Sequence, residues 1–162
     1  LVTVVPAAFV VAQHVAANRT VHRYLAATGG TGFWSDAVVR LAAELETEYR
    51  DHVPIAMDWG FERSVTFLTH GRVHMREAFE YATSPSASYD RTCWALLSEP
   101  ANLYVFHAPE ETAFRGRFEV LAEVATRRGT KLRVVETLAQ RDGRPNIVLV
   151  VADDEAGGPV GR

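Results

Sequence analysis

Cysteine is almost missing from this chain. Cys93 stands alone, which excludes an internal disulfide and any cysteine-rich metal site. Its surroundings, Thr92-Cys-Trp-Ala-Leu-Leu97, are apolar and suit a structural thiol more than a reactive one. A basic stripe is missing too: arginines are scattered along helical faces, the net charge is −3 and the isoelectric point is near 6.1. Nucleic acid is therefore not an expected partner. No apolar run reaches the ~20 residues that a membrane-crossing helix needs. There is no Walker-type loop and no nucleophile elbow in a Ser-His-Asp order, which sets aside nucleotide hydrolysis and acyl transfer. Internal repeats and low-complexity blocks are also absent.

What is there is a chain of 162 residues, 48% hydrophobic, enough for one domain with its own core. The run Leu1-Val-Thr-Val-Val-Pro-Ala-Ala-Phe-Val-Val-Ala12 is almost wholly apolar. It is too short for a complete span and would serve as the last half of one, with residues 1–17 ending a transmembrane helix. A signal peptide lacks its basic leading region here, although Val15-Ala16-Ala17 would pass as a cleavage site. A valine-rich buried strand holding Pro6, or an internal helix of a soluble domain, also fits. Arg19 and Arg23, just after the run, weigh against an outward-facing exit.

Residues 18–153 read as a soluble α/β domain, and 154–162 as a flexible tail of acidic, then glycine-rich composition. Asn18–Ala27 predicts a helical stub with Val21, Tyr24 and Leu25 buried. Thr28-Gly-Gly-Thr-Gly-Phe-Trp-Ser-Asp36 breaks the chain, its glycines reading as a connector between helices because no strand precedes them and a third fingerprint glycine is missing. Val38, Leu41, Ala42, Leu45 and Tyr49 predict an amphipathic helix capped by Ser35 or Asp36. Val53–Asp58 predicts a strand that turns at Gly60 into a helix with Phe61, Val65 and Leu68 inward, closing at Gly71. Val73–Tyr81 predicts a further helical turn or two, Thr83–Ser88 a loop, and Asp90 the cap of a short helix to Leu97. Asn102–His107 predicts a strand, and Phe114, Phe118, Leu121 and Ala125 a helix ended by Gly129. Lys131–Ala139 and Asn146–Ala152 predict a hairpin about Asp142-Gly143, its second strand interior because it is continuously apolar. The expected fold is α/β: a mixed-sheet, Rossmann-like sandwich with helices packed on the sheet and a C-terminal β-hairpin.

The segment Met57-Asp-Trp-Gly60 carries the best site signal, an acid and an indole at the carboxyl end of a strand, where open sheets place ligands. His107 ends the other strand and would form an acid–base pair with Asp58 if the two strands are neighbours. The simpler reading of Glu110 and Glu111 is as acids in the first turn of the next helix. Trp59 and Trp34 offer flat apolar faces for a sugar ring, or belong to the core. His70 and His74 are four apart, but Gly71 lies between them and no third ligand follows, so no metal is expected; no cofactor is expected either.

Thr28-Gly-Gly-Thr-Gly-Phe-Trp-Ser-Asp-Ala37, Met57-Asp-Trp-Gly60 and Gln140-Arg-Asp-Gly-Arg-Pro145 together resemble the region after the last membrane span of bacterial polytopic glycosyltransferases of the dolichyl-phosphate-mannose–protein mannosyltransferase-like kind. The resemblance covers roughly Arg23 to Asp153 and is one of order and texture, not of a catalytic motif. It implies an accessory domain on the extracytoplasmic face of the cell membrane, near a polyprenyl-phosphate-linked sugar. It carries over no catalytic residue, because that family's catalytic acids lie in an early loop with no counterpart here. Asp58, Trp59, Arg72 and His107 are the binding residues expected for acceptor or lipid-head-group positioning. Two other readings stand beside it. One is a free-standing soluble α/β binding module without catalysis. The other is a small hydrolase, which needs Asp58 and His107 within reach of one substrate atom.

Overall fold

The computed structural model describes residues 4–154. Of the expected tail 154–162, only Asp154 falls within that range, as the last residue of a strand; the rest of that tail and the first three residues lie outside it. Five helices and seven strands follow in the order α1 (Val4–Thr28), β1 (Gly30–Thr31), β2 (Trp34–Ser35), α2 (Ala37–Glu46), β3 (Val53–Ala56), α3 (Phe61–Leu68), β4 (Arg76–Glu77), α4 (Ala87–Leu96), β5 (Asn102–His107), α5 (Arg117–Arg128), β6 (Thr130–Ala139) and β7 (Pro145–Asp154). The fold is α/β, as its patterning predicts.

The main sheet has the order β4-β3-β5-β7-β6. Strands β4, β3 and β5 are parallel, while β7 runs antiparallel to both β5 and β6. The continuously apolar β7 is interior, because both of its faces are covered. Alternation along β5 divides its side chains between two cores. Leu103 and Val105 pack with Leu41 and Leu45 of α2 and Phe61 and Val65 of α3. Tyr104 and Phe106 pack with Tyr89 and Cys93 of α4 and Leu121 and Val124 of α5. The sheet is thus the middle layer of three. Burial pushes the Cys93 thiol up to about 12, which keeps it protonated and inert at neutral pH.

An irregularity between Val134 and Glu136 interrupts the alternation of β6. Leu132 faces the α4–α5 core, whereas Leu138 belongs to the α2–α3 core. The bulge turns the strand over between them. It also delivers Glu136 to Arg40 (2.5 Å) and to the Tyr49 hydroxyl (3.2 Å). Burial, then the Glu136 charge, raises the Tyr49 hydroxyl to about 12.

Four local expectations are corrected. The stretch Asn18–Ala27 is not a stub: it continues a 25-residue helix. Val21, Tyr24 and Leu25 are 53%, 46% and 42% exposed, and among the described residues they join neither hydrophobic core. The segment after Arg72 forms β4 and no helix, because Arg76 and Glu77 pair in parallel with Ile55 and Ala56. Ser86, not Asp90, caps α4, its hydroxyl accepting from the Ser88 and Tyr89 amides at 3.0 and 3.4 Å. Phe114 precedes α5 and does not belong to it, since the segment after His107 stays irregular until Arg117. At α2, Asp36 holds the cap position without a side-chain cap bond, and Ser35 Oγ accepts from the Ala37 amide at 3.2 Å.

Among the described residues no helix is long and apolar enough to cross a membrane. Even so, α1 differs from the other four helices. Every residue from Pro6 to Ala27 is exposed, and the first part, to Ala12, is apolar on all sides.

Candidate functional site

The chain passes from β3 through α3 to β4 on one side, then through α4 to β5 on the other side of β3. That reversal opens the carboxyl ends of β3 and β5 into a crevice, the position where doubly wound sheets bind ligands. Asp58 and Trp59 stand at the end of β3, and His107 closes β5. The two strands are neighbours, with Ala56 opposite Val105. Gly60 makes the turn into α3 in the left-handed conformation, φ 97°.

Three of the expected binding residues meet here. His107 Nε2 lies 3.1 Å from the Trp59 carbonyl, and its ring stacks on Phe61 at 4.2 Å. Burial is the largest influence on it and drives the imidazole pKa below its ordinary value; the Asp58 charge and the Trp59 carbonyl oppose this without cancelling it. Neutral His107 is the form at pH 7. Asp58 is 3% exposed. One of its oxygens accepts from the Trp59 amide (2.8 Å), the other from the Thr112 hydroxyl (2.5 Å). Asp58 and His107 share no hydrogen bond with each other. Both Asp58 oxygens are engaged in holding the corner together.

Arg72 lies elsewhere. It follows α3, at the amino edge of the sheet, and pairs with Glu46 at 2.5 Å. The expectation that it joins the site fails geometrically because α3 runs the length of the sheet and carries Arg72 to the opposite end. Glu110 and Glu111 are not in a helical first turn either. Glu111 accepts from the Gly32 amide at 2.6 Å and lies 3.7 Å from the Arg144 guanidinium. His70, with φ 53°, and His74 lie past α3, and no metal-holding group of acids, histidines and cysteines occurs among the described residues.

The Gly29–Gly32 segment is a built part of the site and not a loose connector. Gly30 and Thr31 pair with Ser35 and Trp34, and a Cβ on Gly30 would come within 1.8 Å of the Trp34 carbonyl oxygen. Only glycine fits there, at φ 126°. The ribbon is tied to the β6–β7 turn by Gln140 Nε2 to the Gly30 carbonyl (3.3 Å) and Asn146 Nδ2 to the Gly32 carbonyl (3.1 Å). Its tip presents Phe33 and Trp34 to Trp59, with ring centres 5.3 and 6.1 Å away and both pairs edge to face. The segments 28–37, 57–60 and 140–145 therefore converge on one edge of the sheet.

Two clefts flank this corner. On the α3 side a space of about 400 Å³ is walled by Phe33, Trp34, Trp59 and Tyr81, with Arg63, Ser64 and Glu77 supplying polar groups. On the α5 side a space of about 380 Å³ is bordered by Asp58, His107, Thr112, Arg115, Gly116 and Arg117. Tyr81, Arg63, Thr112 and Arg117 carry no motif in the sequence. Only the serine-rich loop beside Tyr81 marks that segment as surface.

No protein-family model, no curated protein and no solved structure matches this chain. The site's own geometry must therefore carry the functional argument.

Proposed function

We propose that this chain is a sugar-facing accessory domain of a membrane glycosyltransferase that uses a polyprenyl-phosphate donor, positioning the acceptor or the lipid-linked sugar while bond chemistry occurs elsewhere. The aromatic cleft carries this reading. Trp34 is 75% and Tyr81 74% exposed, a costly display of apolar surface beside Trp59 unless a ligand covers it. A pyranose has an apolar C–H face and a rim of hydroxyls. Edge-to-face indoles bordered by a cation, an acid and a hydroxyl complement both.

The membrane part of the proposal is supported by α1, whose first part is apolar all round and exposed from Pro6 on among the described residues. A helix of that kind is covered by protein or lipid. On this reading the apolar part lies in lipid and the α/β domain stands on the extracytoplasmic face.

The test is a tryptophan-fluorescence titration of the chain with simple pyranosides and with a glycan array. Saturable quenching that Trp34→Ala and Trp59→Ala abolish is expected. If no saccharide produces it, the glycan reading falls. Fractionation of the native protein separates the membrane reading from a free-standing binding module. Retention in membranes after alkaline washing supports the former, and a soluble band near 17.9 kDa the latter.

A further inference from the structure

We propose that the cleft on the α5 side is a phosphate-binding site, built from the opening turn of α5, the Arg117 guanidinium and Arg115 at the lip. The proposal rests on the sugar-facing reading only for which molecule carries the phosphate.

Arg117 is 2% exposed, a rare state for an arginine unless it is paired. Its Nη2 donates to the backbone carbonyls of Glu80 and Ala82. The guanidinium lies over the rings of Phe114 (4.9 Å) and Tyr89 (5.8 Å). Nε and Nη1 are shut off from solvent and have no hydrogen-bond partner among the described residues, and the nearby Glu80 carboxylate feels the charge of the group without a hydrogen bond from it. Two carbonyls, two ring faces and the Glu80 charge soften the cost of a buried cation, and two of its N–H donors stay unused. A planar guanidinium with donors to spare is the group that best matches a phosphate.

A second feature of the same wall points to the same ligand. Helix α5 has twelve residues, and no side chain caps its start. Gly116 occupies the cap position at φ 85°, where a Cβ would come within 3.3 Å of Pro85. The amides that follow lack helical partners by geometry, and the helix dipole places positive charge on them. Gly116, Arg117, Phe118 and Glu119 all border the cleft, as does the exposed Arg115. Glu110 and Glu119 are exposed on the rim, and the oxygens of Asp58 are occupied by Trp59 and Thr112. The Asp58–Trp59 corner separates this cleft from the aromatic one, so one phosphorylated saccharide can present its phosphate here and its ring there.

The experiment follows amide and guanidinium signals of the full 162-residue chain by NMR, in a non-ionic, phosphate-free detergent, as inorganic phosphate is added. Saturating shifts are expected at Gly116–Glu119 and at Arg117 Nε–H. Arg115→Glu, a surface change, should weaken binding about fivefold by reversing an exposed charge, and Arg117→Lys about tenfold through loss of the planar fork. Tighter binding of a short isoprenyl phosphate than of a hexose 1-phosphate assigns the site to a lipid headgroup; the reverse order assigns it to a free sugar phosphate. Unsaturated shifts spread over all surface arginines, or binding unchanged in Arg115→Glu, would overturn the site. Because the pyranoside response is read at Trp34 and Trp59, loss of the phosphate site leaves the aromatic cleft independently testable.

Discussion

The α3-side cleft shows its chemistry to solvent, with Trp34 and Tyr81 about three-quarters exposed, whereas the α5-side cleft hides its most distinctive group, Arg117, almost completely. Both are walled from the same Asp58–Trp59 corner and have similar volumes. The first spends little folding energy on its ligand groups, because exposed side chains on a ribbon tip support nothing beneath them. The second embeds a cation in the packing between α4, α5 and the 80–82 backbone, so that recognition and stability become hard to separate. An aromatic cleft can therefore change its side chains freely, while a cleft lined by a buried arginine cannot.

Stability measurements would break or sharpen that contrast. The largest effect is expected for Arg117→Ala in urea unfolding. It leaves the Glu80 and Ala82 carbonyls without their donor, at ~1–3 kcal/mol each, and opens a gap between the Phe114 and Tyr89 rings. A loss below about 1 kcal/mol would show that Arg117 is not part of the packing. Thr112→Val comes next. It strips the hydroxyl from a buried Asp58 oxygen and from the Phe114 amide, which Thr112 Oγ1 accepts at 3.0 Å, and should cost about 1–3 kcal/mol.

A smaller effect is expected from pH. The folded-state pKa of His107 is depressed, so the unfolded chain takes up the proton first. Its contribution to stability is complete above the ordinary histidine value of ~6.5 and declines as pH falls from there toward the depressed folded value. The melting temperature should drop over that window, and His107→Gln should flatten the drop. A slope unchanged by the substitution would assign the acid sensitivity to other groups. The smallest effect belongs to Trp34→Ala, expected within about 0.5 kcal/mol of the parent despite abolishing the saccharide response. A large destabilisation there would mean that the ribbon's aromatic tip is structural after all.

Much of this architecture can be read from the chain. Asn102–His107 alternates between two apolar faces and stands as β5 at those bounds. The unbroken run after Pro145 marks an interior strand, and Asp142-Gly143 marks the turn before it. Phe61, Val65 and the Gly60 turn locate α3. The failures have local causes. Strand β4 has two residues and owes its conformation to pairing with Ile55 and Ala56, a partner invisible in its own sequence. Ser86 outcompetes Asp90 as a cap because Glu80 also accepts from its hydroxyl and amide (2.8 and 3.1 Å), a contact six residues back. The exposure of Val21, Tyr24 and Leu25 could not be read from amphipathic spacing, which says which residues share a face but not whether anything covers it.

The candidate site divides in the same way. Asp58, Trp59 and His107 were visible as polar or aromatic residues at the ends of apolar strands, and that follows from period-two patterning alone. Arg72 and Arg117 are chemically identical in the sequence, each beside a helix end. One came to rest in solvent with Glu46 at the wrong edge of the sheet, the other between two aromatic rings at the right one. Local sequence determined the four longer strands, most helices and the chemical groups at each strand end, because hydrogen-bond geometry and hydrophobic period act over a few residues. Strand order, the crevice between β3 and β5, and which arginine became buried were decided by tertiary structure, because each depends on contacts made by residues tens of positions apart.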